Sequence, residues 1–429
     1  MGRRISTRKK LAFTAILLLL LWPVCELIAF VGLKVAIDDF SLERLHAQRG
    51  SLARGAVSDG AAEAYHPFVG WCFDPNVAEP VTFGDRTIGI NELGFLDDNP
   101  SLAQRSDDEF ILGIAGGSVA WQVSVDGEDT LREKLEASPL LAGRKLRLVR
   151  MAMSGYKQPQ QVMTLSYLLS LGGEFDAVVN LDGYNETALT VAENDRADVS
   201  YAYPRAWNTR TAAMVNPRDS ADSAALLAAR GQRQSMARSL RTSVLRFSPL
   251  ANAVWKLRDD ACRQSIYDLS KKLSKSTRDR EEQSFASYGP QNPYENDDER
   301  DTAIIDLWIR SSVLMDRICR GHNCVYVHML QANQYHTRSK PMSEQEKKDS
   351  ILATQRAGQA VEKLYPKLIK AAYQLDSEGV QFSDQTQLFA EIEDPIYCDG
   401  FCHYNKRGNQ MMAEQLADRV LKALAFAQD

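Results

Sequence analysis

Three side chains in this sequence have the types that nucleophilic catalysis requires: a hydroxyl at Ser118, an imidazole at His403 and a carboxylate at Asp399. A serine hydroxyl is a weak nucleophile until a base within hydrogen-bond reach takes its proton. An imidazole can take that proton and return it to a leaving alkoxide. A carboxylate on the other ring nitrogen sets the tautomer and stabilises the imidazolium. Asp399 and His403 lie together in YCDGFCHYNKRGN, whereas Ser118 lies far upstream in GIAGGS. Gly155 in MSGY and Asn185 in DGYNE could add a backbone N–H and a side-chain amide aimed at a developing oxyanion. One such donor is worth about 2.7–4 kcal/mol of barrier. Singly, each residue has a plainer reading. Ser118 is also an N-cap serine, Gly155 a turn glycine, Asn185 a helix cap and CDGFCH a surface loop.

What would bring these residues together is a series of strands. EFILGIAGGS, KLRLVRMAMSG, FDAVVNLDGYNE and NCVYVHMLQANQ are short apolar runs of buried-strand length, and GVQFSDQTQLF is a weaker fifth. Between them, SVDGEDTLREKLEASP, QPQQVMTLSYLLSL and ATQRAGQAVEKLYPKLIKAAYQL read as helices. This alternation predicts an α/β domain with a mainly parallel sheet covered on both faces. Ser118, Gly155 and Asn185 all follow strand ends, where open α/β sheets bind ligands. His403 stands just ahead of a last helical stretch. Residues 188–300 interrupt the alternation and read as an insertion with some helices, placed over the strand ends. The charge run KKLSKSTRDREEQ within it reads as a solvated helix face. Among the other histidines, His328 sits inside an apolar strand as a core residue, and His66, His322 and His336 read as loop residues.

In order along the chain, Gly-x-Ser, Gly, Gly-x-Asn and Asp-His before a final helix resemble the SGNH hydrolase, or GDSL esterase/lipase, superfamily. YHPFVGW followed by INELGF, and FSDQTQLF, are similar to membrane-anchored bacterial members. The resemblance spans residues 64–425 apart from the insertion. It implies a three-layer α/β/α sandwich of flavodoxin-like topology. It further implies an acyl-Ser118 intermediate, with His403 as general base and acid and Asp399 orienting it. Ser118, Gly155 and Asn185 would form the oxyanion hole, and no metal or organic cofactor is needed. Two positions depart from the family. Gly117 replaces the usual Asp, and Asp399 lies one residue further from the histidine than the family's acid. A bulge held by a Cys398–Cys402 bridge would restore the reach; Asp394 is the substitute carboxylate.

The amino terminus sets the compartment. MGRRISTRKK is basic, and Leu11–Leu33 is apolar. Those residues would span about 34 Å as a helix, against roughly 30 Å of bilayer core. We read residues 1–10 as cytoplasmic, 11–33 as a single-pass signal anchor, 34–63 as a stalk and 64–429 as an extracytoplasmic domain, periplasmic or extracellular. A cleaved signal peptide and a lipoprotein signal ending at Cys25 are the alternatives; Trp22 and Pro23 disfavour the second. With 44% apolar and 25% charged residues and a net charge of -5, the body is an ordinary globular chain without the basic balance of a nucleic-acid binder. The expected function is hydrolysis of an acyl ester, with a lipid or envelope glycan as the substrate class. The alternatives are an O-acyltransferase acting on an envelope glycan and a non-catalytic scaffold that keeps the fold.

Overall fold

The computed structural model describes residues 7–37, 40–54, 63–76, 78–211, 220–274, 285–351 and 356–428. They divide into two compact units. The larger comprises Ala64–Pro75, Pro80–Pro217 and Ser274–Asp429, and holds all the residues singled out for chemistry. Its centre is a parallel sheet of β1 (Glu109–Gly116), β2 (Lys145–Arg150), β3 (Ala177–Asp182), β4 (Val325–Leu330) and β5 (Gln381–Asp384), in the order β2-β1-β3-β4-β5. All five expected runs are strands. β3 is buried at every position, which is why it reads as an apolar run rather than an alternating one.

Two groups of helices pack against this sheet. One contains α1 (Ser118–Asp126), α2 (Glu128–Glu136) and the last helix, α6 (Lys406–Gln428). The other contains α3 (Gln160–Ser170), α4 (Asp297–Gly321) and α5 (Arg356–Ala371). The helix expected after Ser118 is broken at Gly127, where a Cβ would lie 2.3 Å from that of Ala413 on α6. That close approach seats the last helix on the α1–α2 junction. Asn409 of α6 donates to Asp126 of α1 at 2.8 Å and fixes the register. Arg150, buried at the end of β2, donates to Asp97, to Ser124 and to Glu128, and so ties α1 and α2 to the sheet. His328 is a core residue as expected: its Nε2 lies 2.9 Å from Asp182, which also accepts from Trp308 Nε1 at 2.8 Å. His336 is in a turn, His322 directly follows α4, and His66 ends the short strand Glu63–His66.

The smaller unit comprises Met1–Glu63, Asn76–Glu79 and Arg218–Leu273. Its Thr7–Ala36 helix contains an apolar window, Leu19–Ala36, long enough to cross a membrane and almost wholly exposed. Glu26, the acidic residue of that run, accepts from Ser248 Oγ at 2.6 Å and from the Leu250 N–H at 2.9 Å. The segment read as a stalk is a packed helix, Leu42–Arg54, whose Leu45, Leu52 and Ala53 are buried with Ala237 and Trp255. The last two belong to Ser220–Thr242 and Pro249–Ser274, which Arg233 and Asp259 join by two hydrogen bonds of 2.6 and 2.9 Å. The insertion is therefore divided. Its middle builds this helical unit, while residues 188–211 and 285–300 belong to the sheet-bearing unit. Most of the charge run between Lys271 and Gln283 lies outside the described residues.

Candidate active site

Ser118 opens α1 directly after the Gly116-Gly117 turn that ends β1. Gly116 has φ +143°, and a Cβ there would meet the Leu181 carbonyl at 2.2 Å, so only glycine fits. At the other end of the chain, His403 immediately precedes α6. The packing of α6 on α1 brings the two side chains together: His403 Nε2 lies 2.7 Å from Ser118 Oγ. His403 Nδ1 lies 2.7 Å from Asp399 Oδ2. Three of the five predicted site residues thus form one continuous hydrogen-bonded chain from hydroxyl to carboxylate.

The extra residue between acid and histidine is absorbed by backbone conformation. Cys402 has φ +66°, in the left-handed region that a non-glycine residue adopts only under constraint. The loop closes as a hairpin, with Tyr397 bridging Tyr404 and the Cys398 N–H donating to the His403 carbonyl at 2.9 Å. The expected Cys398–Cys402 bridge is not formed: both are free thiols, Cys398 exposed and Cys402 buried. Hydrogen bonds do that work instead. Gln334 Nε2 donates to the Asp399 carbonyl at 2.8 Å, Tyr335 Oη to the Gly400 carbonyl at 2.8 Å and Tyr404 Oη to the Ala332 carbonyl at 2.8 Å. Buried Glu346 accepts the N–H groups of Ile396 and Tyr397 at 2.7 and 3.0 Å. Asp394 is engaged elsewhere, with Arg407.

Burial pushes the Asp399 carboxyl up. The hydrogen bond and charge of His403, with the N–H groups of Phe401 and His403, outweigh it and hold the group below its ordinary value. It is therefore a carboxylate at neutral pH. The imidazole and the carboxylate keep 21% and 38% of their side-chain surface, so a solute can reach them. Beside them runs a groove of about 590 Å³, walled by Phe83, Gln122, Asp126, Asn405 and Lys406.

The two remaining predicted residues lie on the adjoining loops. Asn185 starts a π-helix, Asn185–Asn194, and its Nδ2 donates to the Tyr156 carbonyl at 2.7 Å. A Cβ on Gly117 would sit 2.1 Å from that same nitrogen. The departure at 117 therefore makes room for the amide next to Ser118. Gly155 has φ +80°, and no hydrogen bond among the described residues occupies its N–H. An amide has two N–H bonds, so Asn185 can hold Tyr156 with one and offer the other.

Glu186 locks these loops together. It is buried, and its carboxyl oxygens accept from the Gly183 N–H at 2.8 Å, the Gln158 N–H at 3.2 Å and Gln161 Nε2 at 3.0 Å. Burial and the neighbouring Asp182 push its pKa up to about 8. Gln334, Tyr335 and Glu346 carried no signal in the sequence, since each works through main-chain groups of distant segments, and Glu186 draws its partners from Gly183, Gln158 and Gln161. Only the position of Glu186 beside Asn185 could have drawn notice.

No protein-family model matches this chain, and no curated protein matches it. The bearing of the site on function therefore comes from its own geometry.

Proposed function

We propose that the chain is a serine esterase that hydrolyses carboxylic esters through an acyl-Ser118 intermediate. The observation that carries this is the continuous 2.7 Å chain Ser118–His403–Asp399 at the ends of the parallel strands. His403 would take the Ser118 proton as the hydroxyl attacks the ester carbonyl, then pass it to the leaving alkoxide. The Ser118 and Gly155 N–H groups and the Asn185 amide would receive the oxyanion. Water, activated by the same imidazole, would then release the acid. The parallel strand order β2-β1-β3-β4-β5, with Ser118, Gly155 and Asn185 following its strand ends and His403 preceding the last helix, supports reading this unit as an SGNH-type α/β/α sandwich.

The groove flanking His403 supports an alcohol on the proton-transfer side of the site. An alcohol entering there could leave as product or accept the acyl group, so O-acyl transfer is the second reading. The apolar N-terminal helix supports a signal anchor, with the sheet-bearing unit outside the cytoplasm and a lipid or envelope glycan as substrate. The test is hydrolysis of p-nitrophenyl acetate by the full chain in detergent. Ser118→Ala is expected to lower kcat by roughly 10³-fold or more. Equal turnover by the two proteins would reject the assignment.

A further inference from the structure

One more side chain at this site bears on which ester it takes. Arg205 lies against Gly155: a Cβ built on that glycine would be 2.4 Å from Arg205 Cδ and 3.0 Å from Nη1. Its positive φ restricts position 155 to glycine, and any side chain there would displace the arginine. Glu193, on the π-helix that begins with Asn185, grips the guanidinium through Nε at 3.0 Å and Nη2 at 2.5 Å. That fork fixes the guanidinium plane and leaves Nη1, on the Gly155 side, without a partner among the described residues. Arg205 keeps 33% of its side-chain surface and Glu193 25%, so a solute can reach the free edge. An arginine oriented on one edge and open on the other is suited to a carboxylate. Glu193 offsets much of the long-range charge, so recognition would be short-ranged and expressed in which ester reacts. Arg205 also belongs to the insertion at 188–300, outside the motifs shared with the resembling family.

Building on the esterase reading, we propose that Arg205 selects acyl esters bearing a carboxylate next to the scissile bond, the class of acylated hydroxy acids and acidic sugars. Nη1 would meet that carboxylate while the ester carbonyl oxygen occupies the neighbouring hole.

The test compares acetylsalicylate, whose carboxylate adjoins the ester, with its neutral methyl ester, using the full chain in detergent. The wild type is expected to favour the anion. Arg205→Ala should lower the ratio of the two kcat/KM values by about tenfold, or 1.4 kcal/mol, and Arg205→Lys should restore part of it. No preference in the wild type, or an equal fall for both esters, would overturn the proposal. A second measurement does not need turnover. Calorimetry of salicylate binding to Ser118→Ala and to Ser118→Ala/Arg205→Ala should show weaker binding by about tenfold in the double variant, and equal affinities would overturn the proposal. If neither ester is hydrolysed but salicylate binding still depends on Arg205, the esterase reading fails and the anion site stands.

Discussion

Asp399 reaches its histidine over four residues, one more than in the family the sequence resembles, and Cys402 takes up the difference in a left-handed turn. In the proposed mechanism a carboxylate in that geometry would fix the tautomer that leaves Nε2 facing Ser118. Asp399→Asn should keep the fold and lower kcat by about 10²–10⁴-fold. Steady-state kinetics with a matched thermal melt checks this, and undiminished kcat would remove Asp399 from the site. The pair Gly117 and Asn185 gives a second prediction. Gly117→Ala would place a methyl group 2.1 Å from the Asn185 amide nitrogen and push it away from its place beside Ser118. Both Gly117→Ala and Asn185→Ala should lower kcat by roughly 10–10³-fold. Combined, they should cost little more than either alone, because they remove the same donor. Full additivity would show that they act separately. The pairing of Ser118 with His403 was legible from residue type and order along the chain. The reach of Asp399 was not, because it depends on a single φ angle that spacing does not reveal.

Between elements, the decisive contacts join loops that follow different strands. Glu186 ties the loop after β2 to the loop after β3, and these carry Gly155 and Asn185. Glu186→Gln would leave one oxygen to satisfy donors that now have two, so it should cost about 1–3 kcal/mol of stability and lower kcat. The sign of its pH dependence follows from linkage. With its folded pKa raised from 4.5 to about 8, the native state holds a proton that the unfolded chain has lost across that interval. Glu186 therefore makes the wild type lose stability as pH rises through that window. The melting temperature of Glu186→Gln should fall less than that of the wild type between those values; parallel curves would place the Glu186 titration elsewhere. The strands themselves were readable because buried parallel strands are continuous apolar runs. The break at Gly127 was not, since it answers to Ala413 on a helix almost three hundred residues later. For the same reason Gln334 and Tyr335 give no local pattern: their partners Asp399 and Gly400 are remote in the chain.

On the scale of the whole molecule, the apolar helix and the sheet-bearing body belong to different compact units. The sequence displayed the helix plainly by length and composition. It concealed that Leu42–Arg54 and the middle of the insertion pack into one helical unit, because their apolar residues meet only in three dimensions. If the Thr7–Ala36 helix is an uncleaved anchor, the full chain should stay with membranes through alkaline carbonate extraction and keep an N-terminal epitope. Release of the body without that epitope would show a cleaved signal instead. The most direct test of the central claim is covalent. A fluorophosphonate offered to the full chain should form an adduct that peptide mass spectrometry places on Ser118, and His403→Ala should abolish it. An adduct on another residue, no adduct at all, or undiminished labelling in His403→Ala would contradict a hydroxyl activated by that imidazole.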